Sequence, residues 1–208
     1  VKQRFIAFGN KLPAAGLDSD LVAHLFPLLV GYNAAVQKIL IVGSGDVARR
    51  ILSRIVSHAR VYALLRSAGR MAEWRDAGAM PVLADLDDRG SLQRIAGLAD
   101  YVLHLAPPPG EGRHDTRTRN LLAVLGKSKS LPRRLVYVST TGVYGDCGGA
   151  QIDETRRLNP ESARAGRRVD AERRLREWGE RTGVKVSILR APGIYAADRL
   201  PIERLNKA

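Results

Sequence analysis

The 208-residue sequence contains one cysteine, Cys147, so no internal disulfide can form and nothing in the chain demands an oxidising compartment. The cytoplasm is the expected location. Long apolar runs are also missing. The most apolar stretch near the start, Leu21 to Val36, is broken by His24, Pro27, Gly31 and Asn33 and falls short of the ~20 apolar residues that span a bilayer. It lies too deep for a signal peptide, and no membrane association is expected. Acidic residues are scarce, with 21 Asp and Glu against 34 Lys and Arg, a formal net charge of +13 that invites nucleic acid, anionic lipid or a phosphorylated ligand. Aromatic residues make up only 5% and are not interleaved with the basic ones, so nucleic acid is not expected as a partner. No metal site is expected either.

What is present describes one ordinary folded domain, since 45% hydrophobic and 26% charged residues exclude both disorder and collagen-like order. From Lys38 onward, short apolar runs alternate with longer segments that carry apolar residues at helical spacing. The strands expected are Lys38–Val42, Arg60–Leu65, Met80–Ala84, Tyr101–Leu105, Arg134–Ser139 and Lys185–Arg190. The helices expected are Val47–Ser57, Ala68–Ala77, Ser91–Leu98, Thr116–Lys127 and Ala165–Thr182. Most strands read as near-continuous apolar runs, which implies burial on both faces. The fold class is therefore α/β, a doubly wound parallel sheet in a three-layer αβα arrangement, occupying residues 38–208. Residues 1–37 stand outside this rhythm, as an extension of unknown role or a capping helix around Leu21–Val30.

The first expected strand runs into Gly43-Ser44-Gly45-Asp46-Val47-Ala48, a G-x-G-x-x-A turn that opens directly into a helix. Gly43 permits the tight turn, Gly45 lets backbone approach a pyrophosphate, and Ala48 allows close packing of helix on strand. The free N–H groups of the helix start would face the phosphates. At the end of the second strand Arg66 stands where a ribose-binding carboxylate would be expected. A guanidinium there suits a 2′-phosphate and favours NADP over NAD. Seven arginines and two acidic residues, Asp46 and Glu73, fall between Ser44 and Arg75. Arg49, Arg50 and Ser67 lie close by in sequence, although Arg49 and Arg50 could equally form a solvated helix face. The run Pro107-Pro108-Pro109-Gly110 reads as one stiff loop after the fourth strand.

These motifs, with Ala84-Asp85-Leu86, Val102-Leu103-His104-Leu105-Ala106, Val138-Ser139-Thr140-Thr141-Gly142-Val143-Tyr144-Gly145 and Leu189-Arg190-Ala191-Pro192-Gly193-Ile194-Tyr195, resemble the extended and atypical short-chain dehydrogenase/reductases, the epimerase/dehydratase group with a Rossmann fold. The resemblance implies that Asp85, with Leu86 beside it, contacts the adenine edge. It places Leu105, Ala106 and Pro107 along the cofactor groove with Ser139, and Pro192 and Gly193 near the nicotinamide. It makes Thr140 the catalytic hydroxyl that hydrogen-bonds the substrate's reacting oxygen. His104, between Leu103 and Leu105, reads instead as a core histidine, Tyr144 as a packing residue, and Asp85 could alternatively cap the following helix.

The group's Tyr-x-x-x-Lys pair is absent. Registering Glu172 on the acidic residue that commonly follows places Arg164 at the tyrosine position and Arg168 at the lysine position, and a guanidinium exchanges no proton near neutrality. Two expectations follow: an NADP-preferring oxidoreductase or nucleotide-sugar epimerase-like protein acting on a small molecule, or a catalytically inactive NADP(H)-binding redox sensor or scaffold. The resemblance also implies a substrate-binding subdomain that the sequence mostly lacks. It further suggests a homodimer through the helix bearing Val169, Leu175 and Trp178, with packing of that face on its own sheet as the alternative.

Overall fold

The computed structural model describes residues 36–127, 129–194 and 198. The proposed Leu21–Val30 helix and Tyr195 of the last motif lie outside the described residues. The six strands are β1 (Gln37–Val42), β2 (Ala59–Leu65), β3 (Met80–Leu83), β4 (Tyr101–His104), β5 (Arg134–Thr140) and β6 (Lys185–Ala191). They form one sheet in the order β3-β2-β1-β4-β5-β6, with every neighbouring pair parallel. The helices are α1 (Asp46–Ile55), α2 (Met71–Asp76), α3 (Thr116–Leu125) and α4 (Ala163–Thr182).

Successive side chains of a strand point to opposite faces, and here both faces are covered. Along β1, Leu40 and Val42 pack with Leu121 and Leu125 of α3 and Leu175 and Trp178 of α4 in one apolar layer. Ile39 and Ile41 pack with Ile51, Leu52 and Ile55 of α1 and Trp74 of α2 in the other. That is why the strands read as continuous apolar runs rather than as alternation. Leu175 and Trp178 are thus turned onto the chain's own sheet, with Val169 half-buried.

The helices depart most from the sequence expectation, and Ala68–Arg70 is a 3-10 turn ahead of α2. The third crossover is a single 3-10 turn, Ser91–Ile95, instead of a helix through Leu98. Local side-chain bonds compete with helix here: Ser91 Oγ donates to the Asp88 carbonyl at 2.8 Å and accepts from the Asp85 amide at 2.9 Å. Edge strand β3 is only four residues long, with Met80 and Leu83 exposed. Among the described residues no helix is long and apolar enough to cross a membrane.

Candidate functional site

The strand order reverses direction at β1, whose neighbours are β2 and β4, and the glycine turn leaves the sheet at that point. Gly43 has φ +102, and a Cβ there would lie 2.7 Å from Ala106 Cα and 2.8 Å from the Leu105 carbonyl carbon. The same segment is anchored below, because the amides of Leu105 and Ala106 both donate to the Val42 carbonyl, at 2.7 and 3.0 Å. Gly45 contrasts with Gly43: a Cβ there would meet nothing within 4 Å, so the space beside it is open. Gly45 is the N-cap of α1 and no side chain caps that helix. The side chains of Asp115 and Ser162 cap α3 and α4. The first N–H groups of α1 therefore face an open cleft with the partial positive charge of a helix N-terminus.

That cleft has a volume of about 310 Å³ and is lined by Gly43 to Ala48 together with Leu105 and Pro107. A second cleft, of about 240 Å³, shares Val47 and Leu105 with the first and continues over the ends of β5 and β6. Its lining includes Ser139, Thr140, Arg164, Arg168, Ala191 and Pro192. The two form one groove across the carboxyl ends of the central strands, where open α/β sheets take their ligands. Thr140 Oγ1 accepts the Gly142 amide at 3.2 Å and keeps its own proton to donate. Ser139 is buried, and its hydroxyl donates to Glu172 Oε1 at 2.7 Å. Gly193 is exposed beside Pro192.

Arg66 is exposed at the end of β2 and makes no hydrogen bond or ion pair among the described residues. Its charge helps hold Asp87 below the usual carboxylate range, after the larger effect of the Arg117 hydrogen bonds. Arg49 and Arg50 are committed elsewhere, Arg49 to Glu73, and Arg50 to Asp46 at 3.0 Å and Asp198 at 2.8 Å. Asp85 sits at the end of β3, where its Oδ1 accepts the Asp87 amide at 2.9 Å, so its carboxylate organises the turn, and Leu86 is buried beneath it.

His104 is fully buried, with Nε2 2.9 Å from Thr118 Oγ1. Thr118 in turn donates to Asp115 Oδ2 at 2.8 Å, so it accepts from the His104 ring. Burial, reinforced by the Arg168 charge, pulls His104 down to about 3 and keeps it neutral. Tyr144 is buried too, its hydroxyl accepting from Arg190 at 2.6 Å, and desolvation raises its pKa. Both act as packing residues.

Sequence reasoning passed over three arginines that shape the groove. Arg70 donates to the Ser44 carbonyl at 2.9 Å and holds the glycine turn from outside. Arg167 donates to the carbonyls of Gly110 and Gly112, at 3.0 and 2.8 Å, and straps the proline loop to α4. Arg190 pairs with buried Glu172 at 2.8 Å. In the sequence Arg70 shows only as part of the arginine excess between Ser44 and Arg75, and Arg190 only as a member of the last motif, with no role attached to either.

Parallel order, an uncapped helix behind a glycine turn and a groove at the switch point together define a dinucleotide-binding Rossmann fold. The family profile for the NAD dependent epimerase/dehydratase family matches residues 39–204, and the chain belongs to that family. Among solved structures, a protein described as a candidate epimerase from Burkholderia cenocepacia J2315 superposes with a TM-score of 0.68 at 23% identity, over 82% of this chain and 59% of its own. A candidate NAD-dependent epimerase/dehydratase from Methylobacillus flagellatus gives 0.63 at 27% identity, over 82% and 59%. UDP-glucuronic acid 4-epimerase from Bacillus cereus, solved in complex with NAD, gives 0.60 at 20% identity, over 76% and 57%. The chain thus spans less than three-fifths of the length of these structures. A comparison with curated proteins found no significant match.

Proposed function

We propose that the chain binds a nicotinamide dinucleotide and prefers NADP(H), as an oxidoreductase or nucleotide-sugar epimerase-like protein of its family. The observation that carries the reading is the open space beside Gly45 at the uncapped start of α1, continuous with the Thr140 cleft. The pyrophosphate would lie on the Gly43–Ala48 turn, the adenosine end toward Arg66 and Asp85, and the nicotinamide end toward Leu105, Pro192 and Gly193. Unpaired Arg66 supplies the forked donors a 2′-phosphate needs.

The bound dinucleotide would supply hydride chemistry. Thr140 would orient the substrate oxygen by donating its free proton. With arginines in place of the Tyr-x-x-x-Lys pair, turnover would need a proton carried by another group or by water. The same fact supports the second reading, a sensor or scaffold that binds NADP(H) without turnover. A small-molecule substrate, a cytoplasmic location and a homodimer belong to the same proposal.

Fluorescence titration with NADPH and NADH tests the cofactor reading. NADPH should bind more tightly, and Arg66→Ala should remove most of the difference; equal affinities in the unaltered chain overturn the NADP assignment. For catalysis, NADPH consumption with a panel of carbonyl compounds and nucleotide-sugars, lost in Thr140→Ala, marks an enzyme. Tight binding without consumption marks the sensor.

A further inference from the structure

Arg164 and Arg168 lie one helical turn apart on α4 and both line the Thr140 cleft. The Arg168 side chain is nearly inaccessible, at 9% exposure, yet its hydrogen bonds go to neutral acceptors. Its Nη1 donates to the Tyr137 hydroxyl at 2.8 Å and to the Val138 carbonyl at 2.9 Å. Among the described residues no carboxylate lies within ion-pair reach of it, and only Nη1 gives hydrogen bonds. The Arg168 charge is felt by Asp115, but that carboxylate is already occupied by the Thr118 amide and hydroxyl. Arg190 and Arg176 are compensated by Glu172 and Arg174 by Asp170, whereas buried Arg167, like Arg168, is bound only by neutral acceptors, in its case the carbonyls of the proline loop outside this cleft.

A buried cation without an anion is costly. The cleft offers nothing acidic to neutralise it, being otherwise lined by Val47, Leu105, Val138, Ala191, Pro192 and Ile194 along with Ser139 and Thr140. Apolar walls strengthen any charge-assisted bond formed inside them. The positive end of the 20-residue helix α4 adds to the field, since Arg164 is its second residue.

We propose that Arg164 and Arg168 form a receptor for a small oxyanion, a carboxylate or phosphate group carried by the ligand of the Thr140 cleft. The two forks can grip one planar or tetrahedral oxyanion from one side, leaving Thr140 to contact a neighbouring oxygen of the same ligand. The pair thereby replaces proton exchange with charge recognition. This deepens the reading above and rests on it for the dinucleotide in the adjoining cleft.

Calorimetric titration of the 208-residue chain with oxalate and with inorganic phosphate tests it, with and without saturating NADPH, which would occupy the glycine turn. One of the two should bind at a single site, and Arg164→Gln and Arg168→Met should each weaken it about 10- to 100-fold. Arg164→Lys should fall between, keeping charge without the fork. Preference for oxalate assigns a carboxylate, preference for phosphate a phosphoryl group. Should buried Arg168→Met fail to fold, exposed Arg164→Gln decides alone. A chain that binds NADPH but neither anion overturns the proposal, as does anion binding indifferent to Arg164→Gln. Anion binding that is weakened in the variants of a chain that does not bind NADPH supports the receptor and removes the dinucleotide reading instead.

Discussion

Glu172 of α4 and Arg190 of β6 form a buried ion pair, Nη2 to Oε2 at 2.8 Å, with Glu172 fully inaccessible. Glu172 also accepts from Ser139 at 2.7 Å and from Arg176 at 2.9 Å, and Arg190 reaches on to the Tyr144 hydroxyl. Helix, two strands and the turn after β5 are thereby joined directly beneath the Thr140 cleft. Glu172→Ala leaves Arg190 buried and uncompensated, and should cost about 3–5 kcal/mol in urea unfolding. Arg176→Ala, at the partly exposed rim of the same network, should cost less than about 1 kcal/mol.

The two glycines of the turn should separate stability from binding. Gly43→Ala forces a side chain into a positive φ and against the Leu105–Ala106 backbone, at a cost of about 2–5 kcal/mol. Gly45→Ala meets no protein atom, so its unfolding free energy should stay within about 1 kcal/mol of the parent. NADPH affinity should nonetheless fall at least about tenfold, because the methyl group enters the space reserved for the pyrophosphate. Thermal melts and coenzyme titration on the two variants distinguish these effects. Full affinity in Gly45→Ala would move the dinucleotide off this turn.

Arg66 and Arg70 should differ in kind. Arg66→Ala is expected to act on NADPH alone, whereas Arg70→Ala releases the Ser44 carbonyl and should weaken NADPH and NADH by similar factors. Parallel titrations of both coenzymes read this directly.

His104 sets part of the acid response. Its folded pKa is depressed to about 3 by burial, against an ordinary value of 6.5. The unfolded chain therefore takes up a proton before the folded one does. Its contribution is intact above pH 6.5 and is lost as pH falls toward 3, at up to about 1.4 kcal/mol per pH unit. Unfolding free energy measured from pH 7 to pH 4 should decline less steeply in His104→Gln. An unchanged slope would mean that carboxylates alone govern the acid limb.

The parallel sheet was legible in the sequence because burial on both faces removes alternation and leaves whole apolar runs such as Ile39 to Val42. The third crossover was not, because Asp85, Asp88 and Ser91 bond locally and outcompete helix between them. Placing Arg164 and Arg168 depended on the register of Glu172, and the structure brings both arginines to the Thr140 cleft. The pairing of Glu172 was invisible: its partner Arg190 is 18 residues away, on strand β6. The hold of Arg70 on Ser44, across 26 residues, is likewise a product of folding that composition reports only as an arginine excess.

The convergence of the Leu105 and Ala106 amides on one carbonyl of Val42 has a kinetic meaning. Freeing either amide for exchange with solvent requires parting β1 from β4, the two innermost strands of the sheet. The floor of the groove should accordingly exchange its protons as slowly as the centre of the protein, with no ligand present. A dinucleotide arriving there meets a surface already ordered, and the entropy of shaping that floor is charged to folding rather than subtracted from affinity.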